Sequence, residues 1–492
     1  MPDWYEELRA LFKDQIGKGE MAGTAYDTAW VASIPDPEQP DRPAFPQALD
    51  WLRLHQHSDG SWGAEIEYYH DRVLSTLIAC IVLAEWRRDE WADYQIEAGL
   101  KSVWRNATSL QRDPNDPVGF ELILPTLLQR ARTLGFRLPY SHFDLYQVQR
   151  TRKLELIPQA LLYSRGVTST FSLEFLGDQA DRSRLDGNLQ EDNGSIASSP
   201  SATSYFLRQT GNAQAMAYIG ALVHRVKGAI PAAIPIDIFE RAWALYNLYL
   251  VENRFPPEAL GCIDELAERW TRQGVGFGTF SSVQDLDDTS LTFDVLVRAG
   301  KQPDPSVLQL FELEGHFMCQ AYERNPSISA HVHLLDALGA SPRFPGWQRM
   351  VDKTVGFLEQ SKTYGTFWFD KWHVSPYYTT SHAVIAALDI APRLVQEAIA
   401  WLIETQRPNG GWGYLDDTTE ETAHSLQALI AYHRKGGRVP SQVFAQAINY
   451  LERSVERQNA RYRALWLCKA LYSPTWIVHS TILGALAMAQ AL

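Results

Sequence analysis

The chain has little of what several large function classes require. Positive charge is in deficit: 45 Lys and Arg face 58 Asp and Glu over 492 residues, a formal net charge of -13. A nucleic-acid binder carries a basic face or stripe, so this balance argues against nucleic acid as a partner. No run of about 18 apolar residues occurs, which leaves no candidate for a transmembrane helix. The opening MPDWYEELRALFKDQIGKGE is charged throughout and contains no apolar signal core. Four cysteines, Cys80, Cys262, Cys319 and Cys468, lie far apart and match no CxxC zinc or redox spacing. The expectation is a reduced, soluble, cytoplasmic protein without integral membrane association. At about 100–200 residues per domain, the length predicts two to four domains.

What the chain does have is aromatic side chains: Trp 16, Tyr 21 and Phe 20, 12% of the sequence. Core packing accounts for most of them. A minority lining a pocket would stabilise a cation through their ring faces. Hydrophobic spacing is helical almost everywhere, as over Val73 to Trp86, Pro125 to Leu134, Ile238 to Val251, Ser290 to Val297 and Ala383 to Ile403. Short loops rich in Gly, Pro, Asp and Asn separate these runs, and no series of alternating strands is visible. The predicted fold class is all-α.

An internal repeat refines this. WLRLHQHSDGSWG (Trp51 to Gly63) and WLIETQRPNGGWG (Trp401 to Gly413) share Trp, Leu, Gln, Gly, Trp and Gly at matching positions, with Asp59 replaced by Asn409. QEDNGS, Gln190 to Ser195, is a weaker echo without the tryptophan. Each copy ends a helix in a polar turn whose Gly takes positive φ, leaving Gln and Trp to tie the turn to its neighbours. Two good copies so far apart predict two related helical barrels.

The chemistry-bearing motif is DLDDTS, with Asp285, Asp287 and Asp288 ahead of a helical run. Crowded carboxylates repel, so at least one is expected to have a raised pKa, the more so if shut from water. A carboxylic acid kept neutral at pH 7 can protonate a weak base. Taken alone, the motif fits an acidic helix cap first and a magnesium-binding cluster second.

The Trp51 and Trp401 repeats resemble the QW motifs of the squalene-cyclase and terpene-cyclase superfamily. Beside a DxDD motif, they are similar to the class II terpene cyclases. Further stretches carry the likeness: TAYDTAWV (Thr24 to Val31), DPVGFELILPTLL (Asp116 to Leu128), SPSATSYF (Ser199 to Phe206), NPSISAHVHLL (Asn325 to Leu335) and FWFDKWHVSPYYTTSH (Phe367 to His382). The set looks like bacterial class II diterpene cyclases that make halimadienyl or kolavenyl diphosphate. The resemblance implies two double-layered α/α barrels, the βγ architecture, with no class I α domain. Residues 1–19 would hold the first helix of the β domain, 20–230 the inserted γ barrel, and 231–492 the rest of the β barrel with DxDD.

Roles carried over by this resemblance are as follows. Asp287 is the general acid, tuned by Asp285 and Asp288. Ser329 and His333 stand where plant copalyl enzymes place a Thr and an Asn that hydrogen-bond the acid, and His333 departs from that pattern. Lys153 and Lys371 match diphosphate-binding lysines, and Glu121 matches an acidic residue at the magnesium–diphosphate end. Phe277, Tyr377 and Tyr378 are candidate aromatic walls. Tyr163 and Ala232 fall at the His and Asn that position the terminating water in plant ent-copalyl enzymes. With both lost, the cation is expected to live longer and rearrange.

The implied activity is cyclisation of geranylgeranyl diphosphate with Mg2+, giving kolavenyl or halimadienyl diphosphate with the diphosphate retained. A class I terpene synthase or a phosphatase would then consume the product. Alternatives are a copalyl diphosphate synthase, a drimenyl-type cyclase on farnesyl diphosphate, and an isoprenoid-binding scaffold without catalysis. The string DDTTE, Asp416 to Glu420, reads as a helix start and not as a class I magnesium motif.

Overall fold

In the computed structural model, residues 2–86, 89–455 and 462–492 are described. Strands among them are only two residues long, and the rest of the regular structure is helical. Two closed rings of helices account for it. In the first, Ala25–Ala32, Tyr69–Glu85, Phe120–Thr133, the 3₁₀ segment Thr168–Gln179 and Pro200–Thr210 pack each on the next, and the last packs on the first. In the second, the ring runs Asp237–Glu252, Leu286–Arg298, Ile328–Ala340, Pro376–Ala387, Thr419–Arg434 and Thr475–Ala489, and closes in the same way.

The layers follow from side-chain pattern. Inner helix Tyr69–Glu85 is buried almost along its whole length because it touches neighbours on every side. Outer helix Ser441–Val455 buries only Val443, Phe444, Ala447 and Leu451, one stripe at helical spacing. Separate hydrophobic cores fill the two rings. The N-terminal helix Trp4–Asp14 belongs to the second core through Trp4, Leu8, Leu11 and Phe12, and packs on Thr475–Ala489. Gly23–Thr24 pairs antiparallel with Ile230–Pro231, so the chain enters and leaves the first ring through one short ladder.

The repeats do a common job. Gln56 Nε2 donates to the carbonyls of Gly60 and Gln95, each at 2.9 Å. Gln406 Nε2 does the same to Gly410 at 3.0 Å and Val443 at 2.9 Å, so each glutamine joins its turn to the next outer helix. The indole N–H groups of Trp62 and Trp412 donate back to Leu52 O at 2.8 Å and Leu402 O at 2.7 Å. Gly410 has φ +94, and a Cβ there would lie 2.3 Å from the Gln446 carbonyl, so only glycine fits.

The structure contains a further copy that is hard to see in sequence: Trp368 Nε1 donates to Leu358 O at 2.8 Å. A threonine on the following inner helix receives the backbone N–H of each motif, from Trp62 to Thr76 (2.9 Å), Ile196 to Thr203 (2.9 Å), Trp368 to Thr380 (3.1 Å) and Trp412 to Thr422 (2.9 Å).

The helical run expected over Ala383 to Ile403 is broken. Helix Pro376–Ala387 ends, a 3₁₀ turn covers Pro392–Val395, and Gln396–Glu404 begins an outer helix. Pro392 lacks the N–H that a continuous helix would need. No helix among the described residues is long and apolar enough to cross a membrane.

Candidate active site

Asp285 caps the helix Leu286–Arg298: its backbone is extended and its side chain accepts the Asp288 N–H at 2.8 Å. Asp287 and Asp288 therefore occupy the first helical turn, where exposed N–H groups favour negative charge. Burial raises the Asp285 carboxyl to about 7, and the neighbouring Asp287 charge pushes the same way. Asp288 lies well above the usual carboxylate range, from burial first and then from Asp285 and Asp287. In both groups the loss of water favours the neutral acid over the carboxylate.

Asp287 Oδ1 lies 2.7 Å from His333 Nδ1. His333 is on the helix Ile328–Ala340, buried against the edge of Trp243 at 5.1 Å between ring centroids. Burial alone would lower this imidazole, but the Asp287 carboxylate outweighs it and holds the group above its ordinary value. The pairing sets an imidazole nitrogen against one Asp287 oxygen. Ser329 does not reach Asp287. Its Oγ donates to Asp370 Oδ2 at 2.9 Å, and Asp370 also accepts the backbone N–H groups of Ile328, Ser329 and Trp372. Ser329 thus anchors the loop that carries Lys371.

Asp285, Asp287 and Asp288 open onto a shared cavity. Phe171 comes from the first ring; Phe239, Phe277, Trp372, Trp466 and Tyr472 come from the second. The cavity lies between the barrels, with aromatic faces around it and acids on one wall. Such walls stabilise a carbocation without capturing it.

A second cavity shares Val118, Thr168, Gln320 and Trp372 as walls with the first. Lys153, Lys371, Arg324 and Glu121 line it. Lys371 Nζ donates to Glu323 and, at 2.8 Å, to Asn325 O. Burial would lower Lys371, but the Glu323 charge overcomes this and raises it. Lys153, bonded to Tyr322 O, is lowered by burial and by the cations Lys371 and Arg324, while Glu121 opposes the shift. Cations crowded in this way accept an anionic group readily.

The remaining sequence candidates divide. Phe277 lines the apolar cavity. Tyr378 is buried behind it, stacked on His373 at 4.7 Å and edge-on to Trp466. Tyr377 points elsewhere, stacking on Trp401 of the outer layer at 4.6 Å, because adjacent residues on a helix do not share a face. Ala232 is buried, and its neighbour Ala233 is the one on the cavity wall. Tyr163 is not on that wall: its hydroxyl accepts the Asp181 N–H at 2.8 Å, and the Arg184 guanidinium covers its ring at 4.2 Å. It sits in a 3₁₀ turn, Gln159–Tyr163, packed against the first core. The DDTTE string is pulled apart by the helix start at Thr419. Asp416 pairs with Arg463 at 2.9 Å, while Glu420 is buried, accepting Trp466 Nε1 at 2.6 Å. Sequence reasoning missed Trp243, Trp466 and Tyr472, whose only signal was aromatic character within helical or loop segments, and Glu191, hidden in the weak repeat.

Comparison with known proteins agrees with this geometry. Residues 321–453 match the squalene-hopene cyclase C-terminal domain family. The chain is 38% identical to the type B diterpene cyclase of Mycobacterium tuberculosis, covering 98% of each chain. It is 33% identical to ent-copalyl diphosphate synthase AN1 of Zea mays over 75% of this chain and 45% of that longer protein. Among solved structures, ent-copalyl diphosphate synthase from Streptomyces platensis aligns over 99% of this chain and 100% of its own with a TM-score of 0.83 at 26% identity. The Arabidopsis thaliana ent-copalyl diphosphate synthase, in complex with an aza-dihydrogeranylgeranyl thiolodiphosphate, aligns over 99% of this chain and 63% of its own with a TM-score of 0.75 at 26% identity. With a near full-length relative, the barrel pair and the buried acid motif in common, the chain belongs to the class II diterpene cyclases.

Proposed function

We propose that the protein cyclises geranylgeranyl diphosphate by protonating its terminal alkene, and releases a bicyclic product that keeps its diphosphate. The observation that carries this reading is the division of labour between the two adjoining cavities: acids and aromatic faces line one, while the other gathers Lys153, Lys371 and Arg324, with Asp116, Glu121 and Glu323 among them. An isoprenoid diphosphate is divided in the same way, an apolar tail ending in an alkene and an anionic head.

In this reading, Asp287 donates its proton to the alkene carbon that leaves the more substituted cation. The alkene π electrons form the new C–H bond, and His333 holds the resulting carboxylate. Successive π bonds then attack along the chain, and Phe171, Phe277 and Trp466 face the moving charge. Burial shifts Asp285 and Asp288 toward their neutral forms, which reduces competing negative charge near the cation.

Lys153, Lys371 and Arg324 bind the diphosphate in place. Glu121 is a buried carboxylate beside those cations, with Asp116 and Glu323 on the same wall, and its charge acts on both Lys153 and Arg324. Among the described residues no group of three or more His, Cys, Asp or Glu is arranged to hold a metal. One carboxylate with substrate phosphates fits Mg2+, which usually binds through one or two carboxylates plus phosphate oxygens and water. Magnesium there would neutralise diphosphate charge.

The skeleton we favour is a rearranged clerodane or halimadane, kolavenyl diphosphate before halimadienyl diphosphate. Ala232 offers no base, and Tyr163 is engaged with Asp181 and Arg184 away from the cavity. Hydride and methyl shifts then precede loss of the last proton. Likeness to ent-copalyl enzymes favours copalyl diphosphate as the second reading.

The test is incubation of the protein with geranylgeranyl diphosphate and Mg2+, followed by dephosphorylation and identification of the alcohol by GC-MS and NMR. A clerodane or halimadane alcohol that vanishes in Asp287→Ala supports the whole reading. Copalol keeps the cyclase and rejects the rearrangement. Recovery of geranylgeraniol alone rejects the substrate, and farnesyl diphosphate is then the one to supply.

A further inference from the structure

We propose that Glu191 is the base that ends the reaction, taking the last proton from the rearranged cation. This rests on the cyclase reading above and adds the residue that reading lacks.

The apolar cavity offers few groups able to take a proton. Burial pushes Asp285 and Asp288 toward their neutral acid forms, and Asp287 is the donor. Cys319, Cys468 and Tyr472 are all shifted upward by burial and so remain neutral weak acids. Glu191 is the remaining carboxyl group on the wall, 6% exposed, and it comes from the opposite barrel to the acid motif.

Its position is built. Gln190 Nε2 donates to Gly194 O at 2.8 Å and to Asn212 Oδ1 at 3.1 Å, fixing the turn. At the equivalent place in the two strong repeats, the side chain folds back on its own turn: His57 lies 3.1 Å from Gly63 O, and Arg407 donates to Gly413 O at 2.8 Å. Glu191 instead reaches across to the other barrel. Its Oε2 accepts Ser282 Oγ at 2.5 Å and its Oε1 accepts Ser282 N–H at 3.2 Å. Ser282 lies in the segment that leads into Asp285. The turn that elsewhere only braces a barrel here presents a carboxylate to the cavity, and the same loop carries its anchor and the acid.

Burial raises the Glu191 carboxyl above its ordinary value, while the two hydrogen bonds from Ser282 pull the other way and favour the carboxylate. Two donors also hold the carboxylate at a fixed angle and temper its attack on carbon. In the final step a C–H bond next to the cationic carbon breaks, its electron pair becomes the new C=C bond, and the proton passes to a Glu191 oxygen. The proton leaves to water between turnovers, and Asp287 regains one from water, so the reaction is an isomerisation with no other reactant.

The experiment compares wild type, Glu191→Gln and Glu191→Asp with geranylgeranyl diphosphate and Mg2+. It measures residual substrate and the full product profile by GC-MS, with melting temperature as the fold control. Glu191→Gln is expected to keep consuming substrate while the wild-type product falls by about a hundredfold or more, within the ~10²–10⁴ that a positioned base contributes. Hydroxylated diphosphates or other double-bond isomers should replace it, and Glu191→Asp should restore part of the original product. An unchanged product profile in Glu191→Gln overturns the proposal. So does a variant that melts with wild type yet consumes no substrate, because the base acts after ring closure. If Glu191→Gln does not fold, Ser282→Ala, which frees the carboxylate from its anchor, is expected to mix the products, and an unmixed profile overturns the proposal. Failure of wild type on geranylgeranyl diphosphate rejects the substrate instead, and the same comparison is then read on farnesyl diphosphate.

Discussion

His333 Nδ1 stands 2.7 Å from Asp287 Oδ1, joining the helix Ile328–Ala340 to the first turn of Leu286–Arg298 inside the second barrel. The pair places a hydrogen-bond donor on the oxygen that must carry negative charge after proton transfer. A histidine here serves the acid as a positioning partner, and its other nitrogen is buried with no hydrogen-bond partner.

Removing the proton donor and removing its partner should therefore differ in degree. Asp287→Asn is expected to lower turnover by about 10²–10⁴, the range for loss of a general acid. His333→Asn, which keeps a donor, should cost less than His333→Phe. Single-turnover assays with circular dichroism as fold control separate these outcomes, and equal losses in the two His333 variants would reject the pairing role.

Stability should carry the signature of the buried acids. Asp285 ionises near 7 in the folded protein, above its value in an unfolded chain, so the folded state holds more protons between those two values. Unfolding free energy then falls as pH rises through that window and is highest below it. Asp294, also raised to about 7 by burial, and Glu240, at about 7, act with the same sign. Asp285→Asn should weaken this slope by up to about 1.4 kcal/mol per pH unit. Denaturant melts at pH 5 and pH 7.5 measure it, and an unchanged slope would place the proton elsewhere.

The cationic cavity predicts a binding defect. Lys371→Ala leaves Glu323 without its partner and removes one charge from the diphosphate end. KM should rise by about tenfold or more, equal to ~1.4 kcal/mol of lost binding, with kcat falling less. Steady-state kinetics at two salt concentrations check this, since added salt should weaken wild type more than the variant.

The barrels are bolted together by a buried lysine. Lys469 is fully buried and donates to Glu174 Oε1 at 2.8 Å, Ser199 Oγ at 2.7 Å and Ser201 Oγ at 2.6 Å, all on the other barrel. Lys469→Met strands the Glu174 charge and should cost about 3–5 kcal/mol. Adding Glu174→Gln should recover part of the loss, as denaturant titration of the single and double variants would reveal.

Much of this was legible before any coordinates. Trp62 and Trp412 recur in near-identical strings, and a turn that must tie two helix layers needs the same glutamine and glycine each time. The Trp368 copy was hidden because its hydrogen bond to Leu358 O requires only the indole and the helix end, not the flanking residues. DLDDTS was readable because Asp285 caps a helix, a local interaction between residues close in sequence. Ser329 and Tyr163 were misplaced for the opposite reason. Which acid Ser329 meets depends on how the Asp370 loop folds onto its helix, and which way Tyr163 faces depends on the turn around Asp181.

Helical periodicity, the repeated turns and the capped acid motif are set by neighbours within a few residues, so the chain alone determined the two barrels and the acid. The pairing of His333 with Asp287, the meeting of Lys153 with Lys371, and the reach of Glu191 to Ser282 each join segments far apart in sequence. Only the packing of one barrel on the other, and of helix on helix within each, decided those contacts, because burial and charge at a site depend on every element that closes around it.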